Sequence, residues 1–485
     1  MDGPLLIIII LLCFLHCGSI VTEDLTIVAK VEDSTQQLSI CTICECTEIE
    51  INCSDRHLSH HFENNRWSDT RLELVTFEDN SIVHLKPFPN STIIKLSLRR
   101  NRISKIDDNA FQEIRNLSEL DLSHNQLTSD VLLPTIFTGK RKYAPNEWEP
   151  LPQLRILNLG HNNLHTLHQD LFEHVTNIEV LILSGNPLSI IDDYIMRSLT
   201  NLYCLQELCL EDCNLQTLPD HMFHLHKTTL KTLHLSENSF TKIPSALKDA
   251  IVLESLNLDE NPLEILDEIN AFPNLPSLKR LSLCSLPYLT HIGRHVFSQL
   301  PILEELYLCD CPRLTDIDED SLVMHNIHGA FWPPLKKLDI SNNALKYLSA
   351  NLLGMWYKLE KLNLVNNDWS CDCENQYLIT QLLPTFGKTL MEEDVDKLFC
   401  TAPPEHAGKN LTSLAHKRLR CLDRYGAQPE RDAAILVGIL IGLLLALPVA
   451  LTLFLLWRRG FFFCGRRSPA SFSRAFYNRA SSNDN

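Results

Sequence analysis

A chain of 485 residues carrying a formal charge of −17 has room for several domains, and its acidity argues against nucleic acid and weakly against polyanions as partners. Seventeen cysteines are too many for a reducing compartment in the absence of metal, so export and disulfides are expected. The charge is also divided along the chain: residues 20–457 carry −21, whereas the last 28 residues hold six Arg against one Asp.

The chain opens on an apolar run at residues 5–15 (LLIIIILLCFL), too short to span a bilayer and followed by the small residues Gly18 and Ser19. This predicts a secretory signal peptide over residues 1–19, although its start carries Asp2 and no Lys or Arg. Residues 20–71 follow as an N-terminal region holding the cluster Cys41-x2-Cys44-x-Cys46-x6-Cys53. Four cysteines so closely spaced suit disulfides or zinc, and export favours disulfides.

Self-similarity dominates residues 72–370. The template L-x-x-L-x-L-x-x-N-x-L can be laid down twelve times, starting at Leu72, Ile93, Leu117, Leu154, Ile178, Leu205, Leu230, Leu253, Leu278, Leu303, Leu335 and Leu359. Positions 1, 4 and 6 point inward, the residues between them alternate outward from a short strand, and the Asn at position 9 serves turn backbone groups. One repeat cannot cover its own apolar face, so the repeats stack into a parallel sheet along a concave side, roughly 55 Å long for twelve strands at ~4.8 Å each.

Two connections are longer than the rest. The 37 residues from Leu117 to Leu154 carry the basic cluster Gly139-Lys140-Arg141-Lys142-Tyr143, readable as a docking loop, a protease site or a solvated loop. The 32 residues from Leu303 to Leu335 carry HNIHGAFWPP, an adhesive patch if exposed and a convex-side packing element if not. Six cysteines interrupt the repeats: Cys204, Cys209, Cys213, Cys284, Cys309 and Cys311. Cys284 and Cys309 both fall at position 7 of adjacent repeats, within disulfide reach of each other, and Cys209 at position 5 is then a free or intermolecular thiol.

After the repeats, Trp369-Ser-Cys371-x-Cys373 opens a segment over residues 371–421 that closes with Cys400 and Cys421. Residues 422–432 form a juxtamembrane linker. Residues 433–457 contain no charge over 25 positions, enough to cross a ~30 Å hydrocarbon core as a helix. Arg458, Arg459, Arg466 and Arg467 follow closely, which places residues 458–485 in the cytoplasm and makes the chain a single-pass type I plasma-membrane protein. Within the span, Gly438, Gly442 and Ala446 recur every four residues, a small-residue face suited to a lateral dimer. The basic, aromatic tail suits an anionic leaflet, with Cys464 as a palmitoylation site.

The repeats and their flanking cysteine clusters resemble the leucine-rich-repeat proteins of the extracellular type, and the whole layout resembles their short-tailed single-pass transmembrane members. The resemblance implies an α/β repeat fold, a leucine-rich-repeat solenoid plus one transmembrane helix. It implies cysteine-rich caps in which Cys41 pairs with Cys46, Cys44 with Cys53, Cys371 with Cys400, and Cys373 with Cys421. It also makes Cys213 and Cys311, at the Asn position, an accepted buried alternative.

Residues at positions 3, 5, 7 and 8 face the concave side. Glu207, Glu211, Asp212, Glu237, Asp259, Glu260, Glu305, Tyr307 and Asp310 form an acidic stripe there, beside Lys95, Arg99 and Arg100 of the second repeat. Such a polarised face would steer a complementary extracellular or cell-surface protein ligand. Sequons at Asn52, Asn90, Asn116 and Asn410 predict glycans. No nucleophile elbow, zincin motif or phosphate loop occurs, and His221, His224 and His226 of HMFHLH fall in the variable half of a repeat. The expectation is a cell-surface recognition or adhesion receptor without catalysis, cofactor or metal; the alternative is a ligand-binding co-receptor that signals through a partner in the same membrane.

Overall fold

The computed structural model describes residues 39–62, 67, 71–140, 148–149, 151–327, 329–421 and 429–459. They fall into two compact units, residues 1–419 and 420–485. The first is a solenoid built on a 14-stranded sheet. Each of the twelve repeats contributes one three-residue strand, from Leu74–Thr76 to Lys361–Asn363, all parallel. At the N-terminal end Glu50–Asn52 pairs parallel to the first of them, and Glu45–Cys46 closes the sheet antiparallel.

The strands are short because the template allows only positions 3 to 5 to be extended before the chain turns into the core again. In the repeat from Leu205, the side chains at positions 1, 4 and 6 (Leu205, Leu208, Leu210) are each 1% exposed, while Glu207 and Cys209 flank Leu208 on the other face. Register keeps like with like: Leu208 opposes Leu233, which opposes Leu256, which opposes Leu281. Each fully buried Leu contributes roughly 1.5–3 kcal/mol, so the ladder of inward leucines supplies the main cohesion between turns.

The Asn at position 9 closes every turn it occupies. Asn101 donates from Nδ2 to Phe77 O (2.8 Å) and Leu98 O (3.0 Å), and its Oδ1 accepts from Ile82 N (3.1 Å). It therefore satisfies a carbonyl of the preceding repeat, one of its own and the N–H leaving the turn, all buried away from water. Position 8, one residue earlier, adopts a left-handed backbone in all twelve repeats, with φ between 49° at Asp212 and 70° at Gly185. In the first eleven repeats the N–H of this residue bonds a carbonyl of the following turn, as Asp212 N does to Ser236 O (3.1 Å), so neighbouring turns enforce a conformation costly for side-chain-bearing residues.

On the opposite side of the core, phenylalanines from successive turns stack: Phe88 on Phe111 (5.9 Å) and Phe111 on Phe137 (6.1 Å). The ends are covered by the cysteine clusters. Cys41 bonds Cys46, Cys44 bonds Cys53 and Cys371 bonds Cys400; Cys373 and Cys421 are also disulfide-bonded. Ile40 and Trp369, beside these clusters, are buried, so the caps withhold the terminal leucines from water.

The two long connections form hairpins. Gly139–Lys140 pairs with Trp148–Glu149, and Arg141, Lys142 and Tyr143 of the basic cluster lie outside the described residues. Met324–Asn326 pairs with Gly329–Phe331. Beyond that hairpin Trp332 folds back onto Gly354, whose bare Cα leaves room that any side chain would fill, while Ile327 at the tip is 95% exposed. The loop is thus packed at its base and open at its tip.

In the second unit, Pro429–Arg458 is one helix, and its 26 residues from Ala433 to Arg458 are long and apolar enough to cross a membrane. The signal region and residues 460–485, Cys464 among them, lie outside the described residues.

Candidate functional site

The outward face of the long sheet carries the side chains of positions 2, 3 and 5, and the turn that follows each strand carries positions 7 and 8. Adjacent strands place equivalent positions side by side, so the pattern of charge is decided by register and not by sequence proximity.

Positions 2 and 3 are dominated by cross-strand ion pairs. Lys95 meets Glu119 (2.8 Å), Arg155 meets Glu179 (3.2 Å), Lys279 meets Glu254 (2.7 Å) and Lys336 meets Glu304 (2.8 Å). Glu305 is the most heavily engaged. It receives Arg280 Nε from one neighbouring strand (2.7 Å), Lys337 Nζ from the other (2.9 Å) and the hydroxyl of Tyr307 (3.0 Å). Burial works against its charge, but the bonds from Lys337, Arg280 and Tyr307 outweigh it and hold the carboxyl at about 2. Glu305 and Tyr307, expected in the acidic stripe, thus lie between bases at position 3 of both adjacent repeats. Asp259 is likewise spent within the fold, accepting from Cys284 N (2.6 Å) and Ser282 Oγ (3.0 Å). Lys95, expected to mark a basic pole, is committed to Glu119.

The turn edge behaves differently. Asp212, Glu237 and Glu260 occupy position 8 of three consecutive repeats, all exposed, all left-handed, and none in an ion pair with Lys or Arg among the described residues. Glu237, in the middle, has its carboxyl raised above the usual range by burial and then by Glu260, Asp212 and Glu211. Among the described residues, these three like charges one strand spacing apart have no Lys or Arg partner. Asp310 continues the same column two repeats on, exposed and left-handed, beyond Ser285. Earlier in the column His124 stacks on His161 (4.1 Å, 11°), and the His161 ring lies where a Cβ on Gly185 would be.

Glu207 and Glu211 flank His234 of the next strand, each 3.5 Å from one of its ring nitrogens, and the Ser184 hydroxyl donates to Glu211. Cys209, directly opposite His234, is buried, and its thiol is pushed far above the ordinary range by burial and by Glu211 and Glu207. Cys284 and Cys309 are joined across adjacent turns. Cys213 and Cys311 occupy the Asn position as buried thiols, pushed up to about 12 and about 11 by burial, and their sulfurs lie 3.4 Å from Leu183 O and Leu283 O.

Of the histidines of HMFHLH, His226 is buried against Leu199 O (3.1 Å), whereas His221 and His224 come together at the surface with Asp249, which His221 meets at 2.9 Å, their ligand atoms within 4.8 Å of one another. Of the sequons, Asn52, Asn90 and Asn116 are exposed, and Asn410 is half-buried with its Nδ2 donating to Asp396 O (2.6 Å). On the helix, a Cβ at Gly438 or Gly442 would meet nothing within 4 Å.

Residues 70–131 and 152–203 match the family model described as Leucine rich repeat, and residues 203–328 match the one described as BspA type Leucine rich repeat region (6 copies). Epiphycan of Homo sapiens is 25% identical over 249 residues, 50% of this chain and 64% of its own length. CD180 antigen of Mus musculus is 23% identical over 344 residues, 71% of this chain and 44% of its own. A leucine-rich-repeat protein of Leptospira interrogans aligns in structure at a TM-score of 0.44 and 25% identity, covering 62% of this chain and 68% of that one. The chain therefore spans less than two thirds of the length of the curated relatives it matches.

Proposed function

We propose, from the premise that this chain is a leucine-rich-repeat protein with disulfide-bonded ends, that it is a cell-surface recognition or adhesion receptor that binds a protein partner without catalysis. The observation that carries the reading is the uncompensated edge of Asp212, Glu237 and Glu260, on a sheet whose other acids are largely neutralised within the fold. A protein that pairs Glu305, Glu304 and Glu254 internally yet leaves three adjacent carboxylates unpaired holds a field that a basic protein surface would relieve. The apolar helix from Ala433 to Arg458 anchors this face to a membrane, with the repeats outside and the Arg-rich tail in the cytoplasm.

The test is aggregation of cells displaying the full chain, with themselves and with cells bearing other surface proteins. Replacing Asp212, Glu237 and Glu260 together by Lys should abolish aggregation at unchanged surface level and should slow association more than it speeds dissociation. Displaying cells that aggregate with no cell type would remove the adhesion reading. A second reading, a co-receptor acting through a partner in the same membrane, rests on the small residues Gly438, Gly442 and Ala446 at four-residue spacing along the helix. Deleting residues 466–485 leaves adhesion intact under the first reading and abolishes a tail-dependent response under the second.

A further inference from the structure

We propose that Cys209, His234 and Glu207 form a binding site for a borderline-soft divalent cation, zinc or one of like chemistry, on the outward face of the sheet. Cys209 and His234 are Cα partners on adjacent parallel strands and share position 5, so their side chains leave the same face side by side. Glu207, two residues before Cys209, leaves that face as well. One ligand atom from each of the three lies within 4.8 Å of the other two. The Cys209 sulfur is 3.7 Å from Glu207 Oε1, and His234 Nε2 is 3.5 Å from the same oxygen. A tetrahedral zinc with bonds of about 2.0–2.3 Å has ligand-to-ligand edges of roughly 3.3–3.8 Å, so both separations match the edges of an assembled site.

The far side of the imidazole is arranged to the same end. His234 Nδ1 is 3.5 Å from Glu211 Oε1, and Glu211 is itself held by the Ser184 hydroxyl. With Glu211 on the Nδ1 side of the ring, Nε2 faces Glu207, the side from which a carboxylate-backed histidine would take a metal. Of the other cysteines of the repeats, Cys213 and Cys311 serve their turns, Cys284 and Cys309 bond each other, and Cys204 lies apart, its sulfur 4.0 Å from Asn177 Oδ1. Cys209 has neither role, and its sulfur is set among two carboxylates whose negative charge a dication offsets. Thiolate, imidazole and carboxylate together suit zinc and exclude calcium and magnesium, which take oxygen ligands. Cation binding would displace the Cys209 thiol proton to solvent, with no oxidant or reductant involved. The partly exposed side chains of Glu207 and His234 leave a fourth position open toward solvent. This inference holds whatever protein binds the sheet.

The full chain, purified in detergent micelles and stripped with a chelator, is titrated with Co2+ and then Zn2+. One cobalt per chain, an intense thiolate-to-cobalt charge-transfer band and displacement by zinc are expected. Cys209→Ser should abolish the band, His234→Gln and Glu207→Gln should weaken affinity at least tenfold, and Cys204→Ser should change nothing. Circular dichroism reports folding, and Glu207→Gln, altering a side chain 38% exposed, keeps the test decisive should the cysteine variant misfold. Absence of the band from the folded chain, an undiminished cobalt affinity in His234→Gln, loss of the band in Cys204→Ser, or calcium binding as tight as zinc would each overturn the proposal.

Discussion

Replacing Asn238 by Ala removes the group on which one whole turn closes. Its Nδ2 donates to Leu210 O (2.7 Å), Leu235 O (3.1 Å) and Ser236 O (3.0 Å), and its Oδ1 accepts from Cys213 N (3.2 Å) and Leu215 N (2.9 Å). The side chain is buried, so Leu210 O and the N–H groups of Cys213 and Leu215 lose their partners, whereas Leu235 O keeps Asn261 and Ser236 O keeps Asp212 N. At roughly 1–3 kcal/mol per unsatisfied buried group, with partial relaxation, the substitution should cost about 3–6 kcal/mol. That is a large part of the stability of an ordinary domain, which is roughly 5–15 kcal/mol. Cys at the same place should cost about 1–3 kcal/mol less, because the sulfur of Cys311 both reaches Leu283 O (3.4 Å) and accepts from Leu286 N (3.4 Å). Denaturant unfolding of the full chain in micelles gives the cost. Hydrogen exchange locates it, since stacked repeats open near the defect first and the turns starting at Leu205 and Leu230 should lose protection before the ends. A cost below about 1 kcal/mol for Ala, or equal costs for Ala and Cys, would refute the assignment of turn closure to these bonds.

Glu305→Gln should destabilise the chain by about 1–3 kcal/mol at neutral pH. Because the folded carboxyl is held at about 2, below its unfolded range, this contribution is complete above the ordinary carboxylate pKa and fades as pH falls toward 2, so wild-type and variant denaturation midpoints should converge there. Removing Cys284 and Cys309 together as Ser opens a cross-link spanning 25 residues and should lower stability by about 2–4 kcal/mol; an unchanged urea midpoint would count against a structural role for the bond. Gly185→Ala places a Cβ into the His161 ring at a φ of 70°, and a thermal scan should register a loss of about 1–3 kcal/mol. Glycosidase treatment should reduce the mass of the secreted-pathway product through Asn90 and Asn116, with Asn90→Gln and Asn116→Gln each removing one step, while Asn410→Gln, whose amide is committed to Asp396 O, removes none.

The repeat was legible in the chain because leucines at positions 1, 4 and 6 must be buried wherever they recur, and the phase of twelve copies fixes strand, turn and register together. Position 9 was legible for the same reason: a buried turn requires a side chain that both donates and accepts, and Asn does. The state of the charged face was less legible. Glu305 reads as one acid among many until register sets it between Arg280 and Lys337, which stand 25 and 32 residues away but occupy the same position of the flanking strands. Comparing position 3 across adjacent repeats would have exposed that pairing. His234 opposite Cys209 could have been found in the same way at position 5. The fold of Trp332 onto Gly354 left no such signal, since it joins a loop to a turn outside the repeat phase.

The left-handed residue of each turn has a consequence for how such a surface can change. Its conformation is imposed by hydrogen bonds between main-chain atoms, so the fold reads the dihedral and is nearly indifferent to the side chain; Asp, Arg, His, Gly, Glu, Ser and Asn all occupy it in this one chain. The edge is in effect a ruler with a mark about every 4.8 Å, and, Gly185 under the His161 ring apart, its marks can be rewritten without disturbing their neighbours' backbones. Specificity along it can therefore drift by single substitutions, one step at a time, while the leucines beneath stay as they are.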